Sequence, residues 1–310
     1  MELRKTEYEE IKGLWSTWRS LKDTELEAVI QRVDATQWMD IMKRLRSIGL
    51  QEEVQQPYLT IIVEGGMRCV ITGEDAVRKY CQTNKLPDSA TCNIKANIRD
   101  IQPIELKDYD VRIKLKREQN ISRDDIKFQE TMLKWPLLQK SFRYIRRYSF
   151  STAKGARFDL SIIRQSAYTQ QRRYATATSF KEADILNQPL RDEVEVEAIM
   201  EGAATEPMSF IGKIGQVLQG KQRSHAVIKN SQRAEVLNSF KSLFGQNTKF
   251  PGPKAITLEK KHLLPPAENT PDTISLLALN GGYNVTDKAD GLRVLLFVYG
   301  DERVLVDRYI

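Results

Sequence analysis

Five glutamates carry the clearest chemistry in this sequence. Glu25 and Glu27 stand two apart in TELEAVI (24–30), and Glu193, Glu195 and Glu197 do the same in DEVEVEAIM (192–200). Side chains alternate across a β-strand, so each set shares one face, with Val194 and Val196 on the other. Same-face neighbours lie about 7 Å apart, and at an effective dielectric near 20 two ionised carboxylates at that spacing repel by roughly 2 kcal/mol. Water relieves such a row on an exposed face; in an enclosed space cations must do so. Hard divalent ions take oxygen ligands, so an enclosed row suits Mg2+ or Mn2+. An amphipathic strand with a solvated acidic face fits the same spacing, although glutamate is depleted in strands.

Between the two acidic strands lie basic ones. In DVRIKLKRE, Arg112, Lys114, Lys116 and Glu118 share a face, opposite Val111, Ile113 and Leu115. Arg143 and Arg147 share a face in FRYIRRYSF, as do Arg157, Asp159 and Ser161 in ARFDLSI, while Arg68 and Lys95 each fall in a further strand-like run. A barrel that turned these charged faces inward would set acids on one wall and bases on another. Its apolar faces would pack outward against helices, the reverse of small barrels filled with apolar side chains. Such a tunnel suits a polyphosphate. Bases grip the non-bridging oxygens while metal held by the acids spans the group being cleaved.

A second cluster, Lys288, Asp290, Gly291 and Arg293, lies in GGYNVTDKADGLRVLLFV (281–298). A lysine between polar strand ends is ordinarily just solvated. To act as a nucleophile it must lose a proton held with a pKa of about 10.4, helped by neighbouring charge or burial. Gly291 permits a tight backbone approach.

The elements that must position these residues follow from periodicity. Residues 7–20 read as a helix through Tyr8, Ile11, Leu14, Trp15 and Trp18, and Trp38, Ile41, Met42, Leu45 and Ile48 make a second helix that Gly49 ends. From 58 to 163 the pattern changes to short β-rich runs: YLTIIVEG, MRCVITG, CNIKANI, DVRIKLKRE, FRYIRRYSFST and ARFDLSII. Turn signals between them indicate an antiparallel sheet or barrel. Residues 206–245 read as helical, 249–273 as a linker holding five of the eleven prolines, and 293–299 and 303–306 as strands.

Composition narrows the class. A chain of 310 residues is long enough for one large domain and part of a second. The net charge of +7 suits a phosphate-rich partner without demanding one. Three cysteines (Cys69, Cys81 and Cys92) with no C-x-x-C pair argue against a zinc site or disulfide framework. With only His225 and His262, histidine-based catalysis is disfavoured. The charged N-terminus lacks an apolar signal core, and no run of eighteen apolar residues is present to span a membrane.

The order ELE, R-x-x-I, K, DVRIxLxxE, R-x-x-x-R-x-SF, R-x-DLS, EVEVE resembles the triphosphate tunnel metalloenzymes, most closely the RNA triphosphatases of fungi and large DNA viruses. The resemblance covers roughly residues 1–235. It implies an α+β fold: an antiparallel β-barrel tunnel with flanking helices. It also implies that Glu25, Glu27 and Glu197 ligate Mg2+ or Mn2+, with Glu193 and Glu195 supporting the metal or its water. Glu118 would orient the attacking water. Arg68, Lys95, Lys114, Arg112, Arg143, Arg147 and Arg157 would act on the triphosphate, and Asp159 would hold a base in place. The sequence departs from the family at Ile145, where a basic residue is usual; Arg143 or Arg146 is then expected to compensate.

K-x-D-G-x-R before an apolar strand resembles motif I of the covalent nucleotidyltransferases, the RNA guanylyltransferases and nucleic-acid ligases. It implies Lys288 as the nucleophile on the α-phosphate of GTP, with Asp290, Gly291 and Arg293 at the nucleotide. GPKAITLEKKHL (252–263) resembles the start of viral guanylyltransferase domains. The two resemblances together imply residues 1–240 as a triphosphatase domain and 241–310 as the N-terminal part of a guanylyltransferase, the order of a viral mRNA-capping enzyme. Further motifs of the second module are absent, so the chain is expected to be the N-terminal portion of a longer protein that hydrolyses but does not guanylylate. The partners implied are 5′-triphosphate RNA and a methyltransferase domain or subunit, in host cytoplasm or virion. Two other readings fit the residues. One is a tunnel enzyme acting on small triphosphates or polyphosphate, against which Lys288 argues; the other is a non-enzymatic basic scaffold.

Overall fold

Runs that alternate apolar and charged residues fold as antiparallel strands, and the amphipathic runs beside them fold as helices. A computed structural model describes residues 1–151, 155–171, 174–200, 206–245, 251, 257–265, 276, 284–285, 291 and 293–306. They form two units, Met1–Asn230 and Ser231–Ile310.

The first unit runs α1 (Lys5–Ser20), β1 (Thr24–Ile30), α2 (Ala35–Ser47), β2 (Gln51–Val54), β3 (Tyr58–Val63), β4 (Met67–Thr72), α3 (Glu74–Thr83), β5 (Thr91–Asn97), β6 (Ile104–Leu106) and β7 (Val111–Ile121). It continues through α4 (Ile126–Lys134), β8 (Lys140–Ser151), β9 (Ala156–Gln165), α5 (Phe180–Ala183), β10 (Arg191–Ala198) and α6 (Pro207–Gln222). The strands pair in the order β1-β10-β9-β8-β3-β4-β5-β7, and β7 returns to β1, so eight antiparallel strands close a barrel. β6 continues the β5 edge of β7, and β2 continues the β3 edge of β8.

The apolar faces point outward. Leu26, Ala28, Ile30, Ile113, Leu115, Phe158, Leu160, Val194 and Val196 pack with Trp15 and Trp18 of α1, Trp38 and Ile41 of α2, and Phe210 and Ile214 of α6. On the other side Leu59, Ile61, Cys69, Ile71 and Phe142 pack with Val77 and Tyr80 of α3 and Phe128 of α4. Each fully buried large side chain contributes about 1.5–3 kcal/mol, so these two outer cores carry the stability and leave the lumen free to be polar. Asp34 starts α2 by accepting from the Gln37 amide at 2.8 Å while the Gln37 side chain returns to the Asp34 amide, a reciprocal cap. Gly220 lets α6 lie against α2, because a Cβ there would stand 2.8 Å from the Ile41 Cα.

The helical stretch expected over 206–245 is two helices. α6 stops at Arg223, which adopts a left-handed conformation (φ 51°), and α7 (Asn230–Phe244) begins after a turn. Periodicity does not mark the short elements β2, α3, β6 and α4.

The second unit holds most of α7 and a hairpin of β11 (Leu295–Tyr299) and β12 (Glu302–Val306). Phe240 meets the Phe297 ring edge-on at 5.3 Å, and the Tyr299 hydroxyl donates to Glu235 at 3.1 Å. The expected linker over 249–273 falls largely outside the described residues, which there include a short 3-10 turn, Lys260–Leu263. Among the described residues no helix is long and apolar enough to cross a membrane.

Candidate active site

Register carries the inward faces around the barrel. Glu27 lies opposite Glu197 on β10 and opposite Lys114 on β7. Glu25 lies opposite Lys116, Lys95 opposite Glu118, and Arg68 opposite Asn93. Arg147 pairs with Ser161, which pairs with Glu193; Ser149 pairs with Asp159, which pairs with Glu195; Arg157 pairs with Glu197. All five glutamates therefore line the two adjacent strands β1 and β10, and bases from β4, β5, β7, β8 and β9 complete the ring.

Acids and bases meet in the lumen. The Lys95 ammonium donates to Glu25 and stands 3.4 Å from Glu27, whose other oxygen takes Lys114 at 2.6 Å. Arg143 pairs with Glu193 at 2.6 Å. Asp159 is buried and accepts from Ser149 Oγ at 2.7 Å, Arg147 Nη1 at 2.9 Å and Arg157 Nε at 3.1 Å. Arg147 also reaches Glu195 at 3.7 Å and Ser161 at 3.0 Å, and Arg157 donates to Glu197. Glu118 accepts from Asn93. Arg68 makes no ion pair among the described residues, and burial, then the neighbouring Arg143, lowers its affinity for its own proton. Among the described residues, Arg143 Nε, Asn93 Oδ1 and Gln165 Oε1 are buried lumen atoms with no hydrogen-bond partner.

The acidic wall is under electrostatic load. Burial and then Glu27 push the Glu25 carboxyl up to about 7. Burial, followed by Glu27, also raises Glu195, and burial raises Glu197. Burial acts upward on Glu27 too, but Lys95 and Lys114 more than offset it and hold that carboxyl below its ordinary range. Among the described residues no three acidic, imidazole or thiolate side chains converge on one point, because each glutamate turns to a base. The donor set nonetheless fits a hard divalent ion. Its ligands are all carboxylate oxygens, Glu27 and Glu197 oppose each other directly, and a cation, the Lys95 ammonium, already sits between Glu25 and Glu27.

Most residues singled out from sequence thus share one lumen. Arg112 stands apart: it pairs with Glu105 of β6, where β7 has passed the end of β5, and is exposed. Ile145 faces inward between Arg143 and Arg147, in register with Ile163 and Tyr58. Arg143 provides the inward base of that region, while Arg146 lies exposed on the opposite face of β8. Lys288 and Asp290 fall outside the described residues; Gly291 and the exposed Arg293 belong to the second unit. Ser149, Asn93 and Gln165 join the lumen without having been selected. Their alternation with Arg147, Lys95 and Ile163 was a readable signal, but as neutral side chains they carry no charge pattern. Tyr58, beneath the Arg147 guanidinium at 5.8 Å, likewise reads as core until its register is known.

No protein-family model matches the sequence, and no curated protein matches it. Among solved structures, this chain is similar to the RNA triphosphatase domain of a trifunctional mimivirus mRNA capping enzyme, with a TM-score of 0.53 and 15% identity over 71% of this chain and 98% of that one. A triclinic structure of the mimivirus capping enzyme triphosphatase gives 0.53 at 17% identity, over 70% and 98%. A monoclinic one gives 0.50 at 15% identity, over 71% and 100%. At such identity the likeness is one of fold: the closed eight-strand barrel with flanking helices is that of the tunnel-fold triphosphatase structures.

Proposed function

We propose that this chain is a divalent-metal-dependent RNA 5′-triphosphatase that removes the γ-phosphate of nascent mRNA, the first step of capping. The observation that carries the reading is the lumen itself: two paired glutamate strands with Glu27 opposite Glu197, faced by lysines and arginines in an enclosed barrel.

Glu25, Glu27 and Glu197 would hold Mg2+ or Mn2+, with Glu193 and Glu195 behind them. When bound, the ion offsets charge that develops on the transferring phosphoryl group. The bases do the rest of the electrostatic work. Arg68, which makes no ion pair among the described residues, and the Nε–H of Arg143, which has no partner among them, are donors left over for substrate oxygens. Lys95, Lys114, Arg147 and Arg157 now pair with the glutamates, and would pass to phosphate oxygens as the acids pass to the metal. Asp159 holds Arg147 and Arg157 at the lumen wall. Glu118 would orient the water. The water oxygen bonds to the γ-phosphorus as the β–γ bridging bond breaks, and a proton goes to solvent. Orthophosphate and diphosphate-ended RNA result.

The same reading takes Lys288 as the nucleophile of a guanylyltransferase module, supported by the sequence from Lys288 to Arg293. The test of the first activity is phosphate release from γ-labelled triphosphate RNA. Glu195→Ala and Glu197→Ala are expected to abolish release while the fold persists; release retained by both refutes the catalytic lumen.

A further inference from the structure

One aromatic cluster lies beside the lumen and is not used by the chemistry above. The inward face of β10 begins at Arg191, two residues before Glu193 and in register with Ile163. The segment after β9 doubles back, with Tyr168 bridged to Tyr174 and the Ala175 amide donating to the Ala167 carbonyl at 2.7 Å. The two tyrosine rings stack at 4.6 Å with planes 28° apart, and the Tyr168 hydroxyl donates to that of Tyr174 at 2.9 Å. The Arg191 guanidinium lies over the Tyr168 ring at 4.8 Å. Among the described residues Arg191 makes no ion pair, so its charge is not committed to a carboxylate. Burial and then the hydrogen bond with Tyr168 raise the Tyr174 hydroxyl, and the lumen residues Arg143 and Glu193 are near enough for their charges to act on it as well.

Stacked tyrosines are often plain packing. Here Tyr168 is 47% exposed, so it contributes little to a core. Aromatic rings with an arginine at the opening of a cationic groove suit the flat face of a base on a single strand, whatever its identity. We propose that Tyr168, Tyr174 and Arg191 form a platform at this end of the lumen that stacks the nucleobase attached to a triphosphate held inside. The proposal rests on the triphosphatase reading. The shared chemistry is a base joined to a triphosphate, which an RNA end and a free nucleotide both provide.

The test is equilibrium binding to the full chain, with Mn2+ present, of four probes made non-hydrolysable by a methylene in place of the β–γ bridging oxygen: a 5′-triphosphorylated RNA trinucleotide, the same molecule abasic at its first position, ATP, and inorganic tripolyphosphate. The intact RNA is expected to bind about 5- to 150-fold more tightly than the abasic one, the range that alanine replacement of stacking aromatics yields. Tyr168→Ala should erase that preference and leave tripolyphosphate affinity unchanged, while Tyr168→Trp should keep it. The comparison of ATP with the RNA decides which source of the base is preferred. Equal affinity for intact and abasic RNA, binding of none of the four probes, an equal loss of tripolyphosphate binding in Tyr168→Ala, or loss of the preference in a folded Tyr168→Trp overturns the platform. Phosphate release is read separately on the unmodified chain. Its absence overturns the triphosphatase reading, whereas loss of base discrimination alone overturns only the platform.

Discussion

Asp159 tests whether the lumen is an electrostatically balanced assembly. It is 3% exposed, and its single charge serves two guanidiniums, Arg147 at 2.9 Å and Arg157 at 3.1 Å, besides the Ser149 hydroxyl at 2.7 Å. Asp159→Asn removes the charge with almost no change of shape. Taking one partner from a buried ion pair costs about 3–5 kcal/mol. The Arg157 side chain is 35% exposed, so water screens part of that loss, and about 2–4 kcal/mol is expected. Urea unfolding followed by circular dichroism should show a lower midpoint at unchanged slope. The freed arginines should also turn further onto Glu195 and Glu197, which weakens divalent-metal binding at the same wall. A stability change under about 1 kcal/mol would mean that the two arginines are held by something other than Asp159.

Three further outcomes follow from the same structure. Glu25, pushed up to about 7, keeps a proton below that pH that a divalent ion must displace. The apparent Mn2+ affinity should therefore fall about tenfold per unit from pH 7 towards pH 5 in calorimetric titration, and a flat profile contradicts the assignment. Lys140 is fully buried, donates to the carbonyls of Trp135 and Leu138, and is lowered by burial from 10.5 to about 8. Between those values the unfolded chain binds the extra proton, so stability rises with pH there, by about 3 kcal/mol in total. Thermal unfolding of Lys140→Met should lack that rise between pH 8 and 10, and parallel curves for both proteins contradict it. Incubation of the chain with labelled GTP is expected to leave no stable protein–GMP adduct at the proposed nucleophile Lys288; a stable adduct contradicts that expectation.

The barrel was legible because its strands alternate so consistently. Glu193, Glu195 and Glu197 against Val194 and Val196 state a charged face and an apolar face, and the same holds around Lys114 and Asp159. Alternation assigns faces but not neighbours. That Glu27 opposes Glu197, and that Asp159 joins Arg147 to Arg157, depends on register between strands far apart in the chain. Arg112 shares the parity of Lys114, yet β6 captures it through Glu105, a partner that no periodicity marks. Periodicity does not mark α4 because of its nine residues Phe128 is buried and Met132, one turn on, only partly so, a stripe too short to register. β2 went unseen because its four residues are largely exposed. The Tyr168–Tyr174 pair sits in an irregular loop, where spacing carries no structural information.

The most direct measurement is release of orthophosphate from γ-labelled 5′-triphosphate RNA by the full chain, with and without Mg2+ or Mn2+. Release is expected only with the divalent ion, with a diphosphate-ended RNA as the other product, and none from Glu197→Ala. Metal-independent release, or none under any condition from a folded chain, would contradict this.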